Sequence, residues 1–176
     1  SKLIMEFKNR DINLEAKTFL NDKVESIEKA IEGAKYIIAE VISDNAEYRK
    51  YIRENIFKFG TLTSKLKKKG NELDTTKTYE MYYDFSEAIK NIKPHRVLAV
   101  NRGEKEGILS VNIEVDESYI INYLEKKVVK KSEVTESKLV KEAILDSYKR
   151  LIFPSVEREI RSDLKSVAEE VAIDNF

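Results

Sequence analysis

The chain is predicted to be mainly α: a multihelical region, elongated or bi-lobed, carrying a short two-stranded β ribbon. Three observations predict this. Only five Gly and two Pro occur in 176 residues, too little turn chemistry for the regular breaks of an all-β sandwich. Apolar residues recur at steps of three and four over most of the chain, the spacing of a buried helical stripe. Strict alternation is confined to LSVNIEV at residues 109–115, with a weaker companion in TLTSKLK from Thr61.

Taken in order, Asn13 can cap a short helical turn containing Leu14, Ala16, Phe19 and Leu20. The first long helix is expected over residues 23–42, with Val24, Ile27, Ile31, Ala34, Ile38 and Val41 inward and Asp22 and Glu25 in capping-box relation. Asp44 and Glu47 restart a helix carrying Tyr48, Tyr51, Ile52, Ile56 and Phe59, which Gly60 ends. Leu62 and Leu66 then alternate with polar residues in a short strand, and Gly70 and Asn71 supply a turn. The strand at residues 109–115 points Leu109, Val111, Ile113 and Val115 one way. A lone strand leaves its backbone groups unpaired, so these two segments are expected to pair.

Between them Tyr79, Tyr82, Tyr83 and Phe85 read as core contacts, because Glu80, Asp84 and Glu87 would repel the phosphates that accompany stacked bases. Pro94 suits the first turn of a helix with Val97, Leu98 and Val100. A helix near residues 120–129 follows. Thr135 can cap the next, with Leu139, Ala143, Ile144, Tyr148, Leu151 and Ile152. The chain is expected to break between Leu151 and Ser155, because Pro154 lacks a backbone donor and disfavours helix at the residue before it. Pro154 then opens a last helix with Val156, Ile160, Leu164, Val167, Val171 and Phe176 inward.

Composition limits the chemistry. Thirty-two Lys and Arg balance thirty-two Asp and Glu, so any nucleic-acid contact must be a local patch rather than a general basic field. Charged residues make up 36%, above the average of about 25%, and the 41% hydrophobic share is that of a folded chain with a heavily solvated exterior. Cysteine is absent and there is one His, which removes disulfides, thiolate nucleophiles and most metal sites. No apolar run approaches the length of about 18 residues that marks a membrane span, and SKLIMEFKNRD lacks a signal-peptide core. A soluble cytoplasmic chain with no membrane partner is expected. Starting on Ser1 and Lys2 directly before Leu3, Ile4 and Met5, it is expected to be one region, residues 1–176, excised from a larger protein.

Candidates for catalysis are poor. His95 precedes Arg96, a cation that would lower its pKa rather than poise a base. No phosphate loop is present, since Gly103 and Gly107 lack the residues either glycine motif requires. The chain is expected to be no enzyme and to use no cofactor. Two lysine runs can contact phosphate without reading sequence: Lys65, Lys67, Lys68 and Lys69, and Lys126, Lys127, Lys130 and Lys131. Each reads more readily as a solvated surface, the first as a loop and the second as the outer face of a helix. On the helix after Pro94, Arg102 lies away from the Val97 and Leu98 stripe, either to contact nucleic acid or to pair with Glu106. The candidate nucleic-acid-binding residues are therefore Lys65, Lys67, Lys68, Lys69, His95, Arg96 and Arg102.

HRVLAVNRGEKEG at residues 95–107, IEGAKYIIAE at residues 31–40 and YKRLIFPSVEREIRSDL at residues 148–164 together resemble the central helical region of the bacterial transcription accessory protein Tex family. The similarity extends over nearly the whole chain and is weakest in residues 1–20. The resemblance implies a multidomain cytoplasmic protein. In it this region precedes a ribonuclease-H-like domain, helix-hairpin-helix elements and a C-terminal oligonucleotide-binding-fold domain, which is the main nucleic-acid binder. For this chain it implies a non-catalytic scaffold making weak, sequence-independent contacts to RNA or DNA. Its other expected partners are the downstream domains of the same chain and the transcription machinery, the latter through a helical docking face.

Overall fold

The computed structural model describes residues 1–6, 11–17, 26–130 and 135–174. The elements are α1 (Lys2–Met5), α2 (Ile12–Lys17), α3 (Ile27–Asp44), α4 (Ala46–Phe59), β1 (Thr61–Leu66), α5 (Gly70–Leu73), β2 (Asp84–Ala88), α6 (Pro94–Lys105), β3 (Leu109–Glu114), α7 (Glu117–Val128), α8 (Thr135–Asp146) and α9 (Phe153–Asp174). Short 3₁₀ turns at Glu80–Tyr82 and Ile89–Asn91 flank β2, and a π-helical segment, Ser147–Ile152, lies between α8 and α9. The expected contributions of Asp22, Glu25, Phe19, Leu20, Val24, Lys131 and Phe176 fall outside the described residues. The fold is mainly α with a small β element, as the periodicity predicts. No described helix is long and apolar enough to cross a membrane.

The chain divides into two compact units, Ser1–Tyr51 with Glu117–Pro154, and Ile52–Asp116 with Ser155–Phe176. In the first, α3 packs on α8 and the π segment, and α7 packs on α8. Ile38, Ala39, Ile42, Ile120, Leu124, Val140, Ile144 and Ile152 form its core. Ser147, fully buried, donates to the Ala39 carbonyl at 2.6 Å. That bond joins the π segment to α3 without leaving a buried hydroxyl unpaired.

Helix starts depart from the expected caps by one to four residues. The Asp11 carboxylate, not Asn13, accepts from the Asn13 and Leu14 N–H groups at the start of α2. Ser26 accepts from Lys29 N–H at the start of α3. Asp44 ends α3, and the Asn45 side chain caps α4 by accepting from Tyr48 N–H at 3.0 Å. In each case the residue whose backbone is still outside the helix takes the cap, because its side chain reaches the third helical N–H.

In the second unit the sheet has three antiparallel strands in the order β2-β1-β3, rather than the two of the expected ribbon. β1 and β3 pair as anticipated, with Leu62 opposite Ile113 and Leu66 opposite Leu109. DFSEA adds to the other side of β1, Phe85 opposite Ser64. The third strand covers an edge of β1 whose backbone donors and acceptors a two-stranded ribbon would leave unpaired. Val111 and Ile113 face the core, and the Ile113 N–H on the β3 edge donates to the Glu157 carboxylate of α9 at 2.9 Å.

Two further expectations are corrected. Val41 is 66% exposed while Ile42 is buried, and Val167 is 56% exposed while Ala168 is buried, because at 3.6 residues per turn either of two adjacent positions can serve the same stripe. The expected break before Pro154 is absent: Phe153 is helical, and its N–H donates to the Tyr148 carbonyl five residues back. The widened π turn accommodates the missing donor and the ring of Pro154. Pro154 does lie in the first turn of α9, as anticipated.

Candidate nucleic-acid interface

At the end of β1 the main chain is held tightly. Lys67 N–H donates to the Ile108 carbonyl and the Lys67 carbonyl accepts from Gly70 N–H, both at 2.9 Å. A Cβ on Gly70 would lie 2.4 Å from the Ile108 carbonyl oxygen, so this close approach requires glycine. Backbone bonds occupy the inside of the corner, and the side chains of Lys67, Lys68 and Lys69 are exposed. Lys65, on β1, pairs across the strand with Asp84 at 3.2 Å. Both side chains are open to solvent, where such a pair contributes little to stability but does offset the lysine's charge.

On α6, Pro94 takes the first helical position after Lys93. His95 and Arg102 are seven residues apart, about two turns, so they share a face, and both are exposed. Arg96 is about 100° round from His95. Its Nη1 is 3.1 Å from Glu87, its guanidinium lies 5.8 Å from the Phe85 ring centre, and its Nε is buried without a hydrogen-bond partner. Arg96 thus ties α6 to β2. Burial and hydrogen bonding to Glu106 push the Tyr79 phenol up, with the Arg102 charge opposing them; Glu106 is thereby engaged by Tyr79. Arg161 grips Glu104 through two bonds of 2.7 and 3.0 Å and reaches Asn101 at 3.0 Å.

Ile108 joins the two groups of candidates. Its N–H donates to Gly103, next to Arg102, and its carbonyl accepts from Lys67, each at 2.9 Å. The structure therefore brings Lys67, Lys68, Lys69 and Arg102 to one end of this unit, with Lys65 beside Asp84. Arg96 is turned to the sheet, and His95 is left about 10 Å along α6 from Arg102 at 1.5 Å per residue. Such an arrangement can meet phosphates with point charges and one guanidinium, and it offers no nucleophile paired with a base. Among the described residues, no three His, Asp or Glu side chains are grouped so as to hold a metal ion.

The aromatic run serves packing. Tyr79 and Tyr82 are buried, and Tyr82 meets Phe85 edge-on at 5.2 Å. The Asp74 carboxylate accepts from the Thr78 and Tyr79 N–H groups and the Tyr83 hydroxyl. Burial pushes that carboxyl up, and the three hydrogen bonds outweigh it, leaving its pKa lowered.

Sequence reasoning missed a second grouping, in the first unit. Tyr51 stacks on Tyr123 with ring centres 3.6 Å apart and planes 11° apart, and Tyr48 meets Tyr123 edge-on at 6.1 Å. Lys127 Nζ lies 5.8 Å from the Tyr123 ring centre and 3.3 Å from Glu47. The hydrogen bond to Glu47 raises the Lys127 pKa. The spacing Tyr119, Tyr123, Lys127 was a legible signal of one helical face; the tyrosines of α4 were not. A cleft of about 330 Å³ in the same unit is lined by Glu32, Lys35, Tyr36, Glu142, Asp146 and Arg150. Its ions are engaged with one another: Lys35 bridges Glu32 and Glu142, and Arg150 grips Asp146 while lying 4.6 Å from the Tyr36 ring centre.

Comparison with known proteins shows the family to which the chain belongs. The family model described as Tex central region-like matches residues 8–176. The chain is 51% identical over 149 residues to the Bacillus subtilis (strain 168) protein YdcI, covering 85% of this chain and 21% of that protein. It is 30% identical over 157 residues to human S1 RNA-binding domain-containing protein 1, covering 82% and 16%. It is 26% identical over 172 residues to the transcriptional accessory protein Tex of Neisseria gonorrhoeae, covering 95% and 22%. The chain thus spans about a fifth of the length of these relatives, and over residues 8–176 it belongs to the Tex central region-like family.

Proposed function

We propose that residues 1–176 act as one non-catalytic helical scaffold region of a larger, cytoplasmic transcription accessory protein, whose other parts supply most of its nucleic-acid binding. The region itself adds weak contacts to RNA or DNA phosphates, without sequence preference, through Lys67, Lys68, Lys69 and Arg102, with Lys65 at the margin. The observation that carries this reading is the corner between β1 and α5, where the backbone is internally bonded and the lysines are exposed beside Arg102. The names of the relatives, one a transcriptional accessory protein and one an S1 RNA-binding domain-containing protein, support the context.

Anisotropy titrations of labelled oligonucleotides test the reading. Four neutralised phosphates give a log-log salt slope of about −3.6 for duplex DNA and about −2.8 for single strands. The dissociation constant at 0.15 M salt is expected at roughly 1 to 100 µM. Changing Lys65, Lys67, Lys68 and Lys69 together to Glu should weaken duplex binding more than Arg102→Ala does. Nanomolar, sequence-selective binding, or metal-dependent cleavage, would overturn the assignment. A second reading, docking on the transcription machinery, is favoured by Tyr36, Ile37 and Val41 of α3, which are 48%, 50% and 66% exposed. Docking through apolar area would be nearly insensitive to salt.

A further inference from the structure

We propose that the solvent face of α7 is a binding site for single-stranded nucleic acid, in which a base stacks on Tyr119 and the neighbouring phosphates meet Lys126 and Lys130. The site lies in the first unit and goes beyond the phosphate contacts of the β1–α5 corner, because it takes hold of the flat face of an unpaired base.

Ile120, Leu124 and Val128 are buried and define the inner side of α7. At 100° per residue Tyr119, Asn122 and Lys126 fall within about 40° of the centre of the opposite side, with Lys130 just past the helix end, while Tyr123 and Lys127 lie about 80° and 120° round from that centre. Of the carboxylates of α7 itself, Glu117 lies about 160° round from the centre of that side and Glu125 about 80°, at its edge. Glu47 of α4 pairs with Lys127, and among the described residues Lys126 and Lys130 have no ion-pair partner. The exposed Tyr119 ring with Lys126 and Lys130 complements a base and its neighbouring phosphates, and the two together are the features of sequence-tolerant single-strand binding.

The packing assigns the roles. Tyr51 covers one side of the Tyr123 ring and Lys127 approaches it, so Tyr123 anchors the surface. Tyr119, one turn earlier, is 68% exposed and its ring is open to a base. From Tyr119 to Lys130 the helical rise is about 16 Å. At 3.4 Å per phosphate that is about five stacked nucleotides.

The chain contains no Trp, so Tyr119→Trp installs a unique fluorophore at the stacking position in the full 176-residue chain. Its emission should be quenched by a ten-nucleotide single-stranded RNA, and not by an abasic oligomer of the same charge or by duplex DNA. Tyr119→Ala should weaken single-strand binding roughly 5- to 100-fold with an unchanged circular dichroism spectrum. Adding Lys126→Glu and Lys130→Glu to the Tyr119→Trp chain should shift the quenching titration at least about tenfold, while reversing the β1–α5 lysines should leave quenching in place. Two results overturn the proposal: equal behaviour of abasic and base-bearing strands, or a quenching titration indifferent to Lys126 and Lys130. Loss of duplex binding in the β1–α5 variant reports separately on the phosphate corner.

Discussion

The same substitution, Gly to Ala, should have opposite effects in α3 and α6. Within a helix the exchange is favourable by about 1 kcal/mol, because Ala loses less conformational freedom on folding. Gly33 is exposed, and a Cβ built there meets nothing within 4 Å, so Gly33→Ala should stabilise by nearly that amount. At Gly103 the added carbon would lie 2.5 Å from Leu109 Cδ1, 2.9 Å from its Cγ and 3.2 Å from Tyr79 Cδ1, against an optimal carbon separation of about 3.5–4.0 Å. Leu109 is fully buried on β3 and Tyr79 is buried as well, so neither can yield toward solvent. Overpacking of this kind costs about 1–3 kcal/mol. With a strain of about 2–3 kcal/mol at this distance and the propensity gain subtracted, the net loss is about 1–2 kcal/mol.

At about 2–4 °C per kcal/mol for a chain of this size, the midpoint should rise by about 2–4 °C in Gly33→Ala and fall by about 2–8 °C in Gly103→Ala. Thermal and urea denaturation followed by circular dichroism measures both. In a Leu109→Ala background, itself destabilised by about 2–5 kcal/mol, the penalty at Gly103 should largely vanish, since the clashing atoms are gone. A rise in midpoint for Gly103→Ala in the otherwise unchanged chain would refute the close approach of α6 to β3.

Two other outcomes follow from single hydrogen bonds, and the binding variants described above complete the set. The hydrogen bond to Asp74, with burial second, pushes the Tyr83 phenol up to about 12. The folded state therefore holds that proton more tightly than the unfolded chain, and the stability it contributes is complete below about pH 10 and is lost as pH rises toward 12. Absorbance titration of the nine tyrosines should show a step near pH 12 that Tyr83→Phe removes; an unchanged curve would contradict the assignment. Glu157→Ala should strip the Ile113 N–H of its acceptor on the sheet edge, costing about 1–3 kcal/mol. Hydrogen exchange at Ile113 should accelerate more than at Val111, and equal protection in both chains would show that another group holds the edge.

Much of the fold is local and was legible in the sequence. The alternation of Leu109, Val111 and Ile113 specifies β3, Pro94 marks the start of α6, and the helical periods of α8 and α9, with Ala143, Ile144, Val156 and Ile160 inward, follow from spacing. The lysine corner was legible as a charged turn, and the family as three ordered motifs. What was not legible depends on residues far apart in the chain. DFSEA becomes a strand because β1 offers it an edge. Arg96, a candidate for nucleic acid, is turned inward by Glu87 and Phe85. Tyr123 becomes part of an aromatic group only when α4 brings Tyr48 and Tyr51 to it. Ile42 and Ala168 are chosen over Val41 and Val167 by the neighbours they meet. Periodicity is written within a few residues, so the helical segments could be read off the chain alone. The burial of one adjacent side chain over another, and the pairing of each charge, depend on contacts between segments that carry no mark of one another, and these emerge only in the folded molecule.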